Sequence, residues 1–227
     1  MSSPVLPKPR AVIFDWDNTL VDTWPIIHEA LHHTFVAMQV EPWPLEVTMK
    51  RVRKSMRDSF PEIFGENWHA AAEIYQQQYR ANQLKLTALP GAEELIRAVH
   101  DAGLYSVVVS NKKGPNLRRE IEHLGWGPWF HKVVGADDAA RDKPFADPVH
   151  MALEGSNITP APDVWFIGDS EVDLECAKNT GCTPILYGPI VAQHAEFDAK
   201  GTYQGHAFAQ YFPDHTELTK RFRPHAA

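Results

Sequence analysis

Cysteine is scarce in this chain of 227 residues: Cys176 and Cys182 are the only two. Two cannot build a disulfide framework, and neither has metal-ligand company nearby in sequence. Both read as buried or incidental thiols of a protein kept in a reducing compartment. Long apolar runs are lacking as well. No stretch approaches the roughly 20 apolar residues of a membrane span, and the opening MSSPVLPKPR carries no signal-peptide pattern. Positive charge is in deficit, with 22 Lys and Arg against 29 Asp and Glu and a formal charge of -7. Nucleic-acid partners select a basic face, so they are disfavoured. These shortages lead to the expectation of a soluble, cytoplasmic protein with neither membrane nor nucleic acid as partner. They leave the oligomeric state open.

What is present is a sizeable apolar fraction, 44%, enough for a proper core. Residues 1–10 read as an extended, Pro-rich lead-in, and Ala11–Phe14 as a short buried strand. From about Asp22 to Thr87 the patterning is helical throughout, with helices expected over Trp24–Met38, Leu45–Met56 and Trp68–Leu84. Beyond Leu89 strands and helices alternate. The strands are Tyr105–Val109, Lys132–Val134, Val164–Ile167 and Thr183–Leu186. The helices run from Pro90 and Gly91 to His100, then over Asn116–Leu124, Asp147–Glu154 and Glu171–Asn179. Such alternation implies an α/β fold, a Rossmann-like parallel sheet. The expected division is a core of residues 1–21 and 88–227 interrupted by a helical insert, residues 22–87. Pro213–Arg223 reads as a closing helix, and residues 190–211 show no clear pattern.

The chemistry collects at strand ends. Ala11–Phe14 runs into Asp15 and Asp17, Val107–Val109 into Ser110 and Asn111, and Val164–Ile167 into Gly168, Asp169 and Ser170. Asp173 follows four residues after Asp169, and the loop after Val134 supplies Lys143. A parallel sheet brings its carboxyl ends to one edge, where ligands bind. Four acids converging there repel one another unless cations answer them. One lysine does not suffice, so a hard divalent ion is implied, with Mg²⁺ the natural candidate.

The ordered set FDWDNTLVD, VVVSNK, Lys143 in DKPFADP and FIGDSEVDLECAKNTG resembles the four motifs of the haloacid dehalogenase superfamily. The helical insert between the first two motifs is similar to the cap of its phosphoglycolate phosphatase and β-phosphoglucomutase branch. Two departures fall outside the chemistry. Asn18 stands where the first motif usually has Gly, and Ala146 where relatives often have Pro. The resemblance implies a phosphatase for a small phosphorylated metabolite. In that reading Asp15 is the nucleophile that becomes an aspartyl-phosphate and Asp17 the general acid and base. Ser110 and Lys143 hold phosphate oxygens, and Asn111 assists. Asp15, the backbone carbonyl of Asp17, Asp169 and Asp173 surround Mg²⁺. Other chemistries on this scaffold are less well served. A dehalogenase normally lacks an acid at the position of Asp17, and a phosphonatase would need a cap lysine, for which Lys50 and Lys54 have no distinctive context. A sugar-phosphate mutase and a non-catalytic binding protein complete the alternatives.

Other polar features have plainer readings. His28 and His32 share a helix face, but no third ligand accompanies them. The run KRVRK from Lys50 to Lys54, continued by Arg57, reads as a solvated helix face. Its alternative is a surface turned toward a second anionic group on the substrate.

Overall fold

The computed structural model describes residues 6–189 and 191–223. The first five residues of the expected lead-in and the first residue of the unassigned stretch 190–211 lie outside this part. The chain begins with β1 (Ala11–Phe14) and the short β2 (Val21–Asp22). Four helices follow: α1 (Trp24–Ala37), α2 (Leu45–Arg51), α3 (Met56–Phe64) and α4 (Trp68–Asn82). The return strand β3 (Thr87–Ala88) pairs antiparallel with β2, so a two-stranded ribbon carries the chain out to the helical insert and back. Then come α5 (Ala92–Asp101), β4 (Tyr105–Lys113), α6 (Gly114–His123) and β5 (Lys132–Ala136). They are followed by α7 (Asp147–Leu153), β6 (Val164–Gly168), α8 (Glu171–Thr180) and β7 (Thr183–Tyr187).

The main sheet has β1 near its centre, flanked by β4 and β6, with β5 beyond β4 and β7 beyond β6. Every pairing in it is parallel. Both faces of such a sheet are covered by helices, which explains the unbroken apolar run of β1. Val12 and Phe14 pack into one buried cluster and Ala11 and Ile13 into another. Phe14 is in register with Val108 of β4 and Ile167 of β6. Asp15, Ser110 and Asp169 are therefore carried to one edge by three adjacent strands.

Two expectations about elements are corrected. Leu45–Met56 is not one helix. It ends at Arg51, Val52 leaves helical geometry (φ -85, ψ 89), and Ser55 is extended before α3 begins. Ser55 is placed as an N-cap residue, its hydroxyl bonded to Asp58 at 2.9 Å and its carbonyl accepting from Ser59. The interruption lets Arg53 turn toward the sheet edge. The closing helix is also shorter than expected. It is α9 (His215–Thr219), capped by the Asp214 side chain accepting from the Glu217 amide at 2.8 Å.

The unassigned stretch holds three two-residue strands, β8 (Phe197–Asp198), β9 (Thr202–Tyr203) and β10 (His206–Ala207), in a small antiparallel sheet. After them β11 (Gln210–Phe212) adds to β7 as the sixth strand of the main sheet. Among the described residues no helix is long and apolar enough to cross a membrane.

Candidate active site

Three carboxylates, Asp15, Asp169 and Asp173, each offer an oxygen within 4.8 Å of the others. Lys143 reaches into this group from the loop after β5. Its Nζ donates to Asp15 Oδ1 at 2.6 Å and to Asp173 Oδ1 at 2.7 Å. The loop that presents it is pinned on three sides. Asn111 donates to the Lys143 carbonyl at 3.0 Å, Asn179 to the Pro144 carbonyl at 2.9 Å, and the Cys176 thiol to the Phe145 carbonyl at 3.3 Å.

Local sequence explains the placement of the acids. Asp173 forms a capping box with Ser170, whose backbone N–H and hydroxyl donate to Asp173 Oδ2 at 3.1 and 2.7 Å. Gly168 makes room for it, since a Cβ there would stand 2.3 Å from the Asp173 carboxyl carbon. Asp169 accepts from the Thr19 hydroxyl at 3.2 Å. Asn18 has φ +61, a left-handed conformation that Gly takes freely and that Asn tolerates better than most residues. The Asn in place of the usual Gly is thereby accounted for.

The electrostatics favour a cation. Burial pushes the Asp15 carboxyl up to about 7; Lys143 opposes the rise, and Asp173 and Asp17 add to it. Burial also drives Asp169 well above the usual carboxylate range, with Asp15 and Asp173 repelling its charge. Burial works against the Lys143 ammonium, yet Asp15 and Asp173 outweigh it and hold its pKa above the ordinary value. Three converging acids facing one buried lysine are a donor set of hard oxygens with charge still to be neutralised. A divalent ion such as Mg²⁺ fits that set.

Asp15, Asp17, Ser110, Asn111, Lys143 and Asp169 line one cleft between the sheet edge and the helical insert. Asp173 is 1% exposed and lies behind them. The residues singled out from the sequence are thus together. Several of their neighbours are not among them. Lys112, next to Asn111, has its Nζ 2.5 Å from Asp17 Oδ1, and the Thr23 hydroxyl donates to the same oxygen at 2.6 Å. Glu120 pairs with Lys112 from below. A signal for Glu120 was available, because it falls between Leu117 and Ile121 on the buried side of α6.

The basic run divides. Arg53 Nη1 lies 3.9 Å from Asp169 and its Nε 3.7 Å from Glu171, while Arg57 Nε lies 2.7 Å from Asp142. Lys54 lines the cleft but its ammonium pairs with exposed Glu62, and Lys50 is exposed outside it. His28 bonds the Thr48 hydroxyl at 3.1 Å, a packing contact within the insert.

A family model described as haloacid dehalogenase-like hydrolase matches residues 12–187. A phosphoglycolate phosphatase of Cereibacter sphaeroides is 30% identical over 188 residues, covering 78% of this chain and 84% of the relative. One from Vibrio vulnificus is 27% identical over 214 residues, covering 86% and 93%. Among solved structures, CbbY from Rhodobacter sphaeroides in complex with phosphate superimposes with a TM-score of 0.75 at 20% identity, covering 92% of this chain and 96% of that one. That last likeness concerns the fold.

Proposed function

The chain belongs to the haloacid dehalogenase-like hydrolase family, and on that footing we propose a Mg²⁺-dependent phosphatase that hydrolyses a small phosphomonoester through an aspartyl-phosphate. Phosphoglycolate is the first ester to try, since the phosphoglycolate phosphatases are the relatives named above. The observation that carries the reading is the Lys143 ammonium shared between Asp15 and Asp173, with Asp169 beside them and Asp17 on the same cleft.

In the first half-reaction an Asp15 carboxylate oxygen bonds to phosphorus as the bond to the ester oxygen breaks, and Asp17 gives that oxygen its proton. In the second, Asp17 takes a proton from water as the water oxygen bonds to phosphorus. The bond to Asp15 then breaks and inorganic phosphate leaves. Ser110 and Lys143 hold the phosphoryl oxygens, and the Asn111 side chain keeps the lysine loop in place. Asp15, Asp169 and the Asp17 backbone carbonyl would hold Mg²⁺, with Asp173 behind, and the ion would neutralise charge on the transferring group. Phosphoryl transfer asks for this kind of positioning and charge stabilisation more than for elaborate bond making.

Residues 22–87 act as the cap over the cleft. Arg53 is the cap residue best placed for a second anionic group. Its Nε is buried and has no hydrogen-bond partner among the described residues, and unsatisfied buried donors invite a ligand.

Phosphate release from a panel of small phosphate esters, with and without Mg²⁺, tests the reading. Mg²⁺-dependent release from one or more esters is expected. Release from none, or phosphoryl return to a sugar without free phosphate, would overturn it.

A further inference from the structure

Beside the cleft lies a buried polar cluster that the two half-reactions do not use. Glu120 is fully buried on α6, where an ionised carboxylate is costly unless hydrogen-bonded and paired. It is met by three donors. Lys112 Nζ lies 2.6 Å from its Oε2, the Trp16 indole N–H donates to Oε2 at 2.8 Å, and the Tyr79 hydroxyl donates to Oε1 at 2.8 Å. Lys112 is itself buried, with its Nζ 5.1 Å from the centre of the Tyr79 ring. The far side of that ammonium faces Asp17.

Among the described residues the two close donors to the Asp17 carboxylate, Lys112 and the Thr23 hydroxyl, both meet Oδ1. Oδ2 is left as the oxygen on which a proton for the leaving group can sit. A buried Lys–Glu pair is weak evidence of stabilisation, because apolar residues of similar size often serve a core as well. This pair is explained better by the acid it touches. We propose that Glu120 and Lys112 are positioning residues for Asp17: Glu120 anchors the ammonium, and the ammonium with Thr23 fixes the carboxylate through Oδ1. Because Glu120 answers the same ammonium, its charge is divided between two carboxylates instead of being committed to Asp17. Tyr79 extends the arrangement to the cap, since it lies on α4 and its hydroxyl closes on the same glutamate. The inference rests on the phosphatase reading.

The test compares two esters in wild type, Glu120→Gln, Lys112→Met and the double variant Lys112→Met/Glu120→Met. One ester is p-nitrophenyl phosphate, whose leaving group needs little protonation. The other is the alkyl phosphate that wild type cleaves fastest. Misplacing a general acid should lower kcat/KM for the alkyl ester by about 10- to 100-fold, and for the aryl ester by less than about threefold. If Glu120 acts through Lys112, the double variant loses no more than Lys112→Met alone. It also removes both buried charges together, so it keeps the test open should a single variant fail to fold. Equal losses on both esters, or a folded double variant with wild-type alkyl turnover, would overturn the positioning role while leaving the phosphatase reading intact. Wild type inactive on both esters would overturn the two together.

Discussion

Lys143 Nζ donates to Asp15 Oδ1 at 2.6 Å, although 128 residues separate the two in sequence. The contact joins the end of the central strand to the loop after β5, and it buries a charge answered by Asp15 and Asp173.

Lys143→Met should therefore cost both stability and turnover. Removing one partner from a buried ion pair destabilises by about 3–5 kcal/mol, and removing a donor at the reacting group lowers kcat by about 100-fold or more. Urea denaturation without metal, together with steady-state kinetics, measures both. A variant as stable and as active as wild type would mean that the lysine is incidental.

Chelation should silence the enzyme and Mg²⁺ should restore it. The folded protein should also gain thermal stability on adding Mg²⁺, because Asp15, Asp169 and Asp173 are held together only in the native state. The gain should disappear in Asp169→Asn. Full activity after rigorous metal removal, or a melting temperature indifferent to Mg²⁺, would refute a metal centre at these acids.

Arg53→Met should raise KM for a carboxylated phosphoester by about tenfold, equivalent to roughly 1.4 kcal/mol of binding. An uncharged ester should hardly respond. Lys50→Met serves as the control, since Lys50 is exposed and stands outside the residues that line the cleft. Equal losses for both esters in Arg53→Met would indicate damage to the cap rather than loss of an anion contact.

The parts that were legible in the sequence follow from burial. Ala11–Phe14, Val107–Val109 and Val164–Ile167 are covered on both faces, so they appear as uninterrupted apolar runs, and the polar residues that follow them fall at one sheet edge. Of the two readings for Cys176 and Cys182, buried or incidental, the structure shows buried thiols, and burial pushes both up. The strands β8 to β10 were not legible because two residues each are too few to show an alternating pattern. The break after Arg51 was hidden for a different reason. Continuous helical spacing from Lys50 to Arg57 looked sufficient locally, whereas Asp142, Asp169 and Glu171, which draw Arg53 and Arg57 inward, come from much later in the chain. Lys112 and Glu120 escaped similarly, as their meaning depends on Trp16, Asp17 and Tyr79 meeting them in space.

Asp15 is expected to carry the phosphoryl group during turnover. Rapid acid quench of wild type with an ester carrying ³²P in its phosphoryl group, followed by peptide mapping, tests it directly. Label is expected on the peptide containing Asp15, sensitive to hydroxylamine as an acyl phosphate is, and absent from Asp15→Asn, which should remain folded and inactive. Label on another residue, or more than a few per cent of wild-type turnover in the purified Asp15→Asn protein, would contradict it.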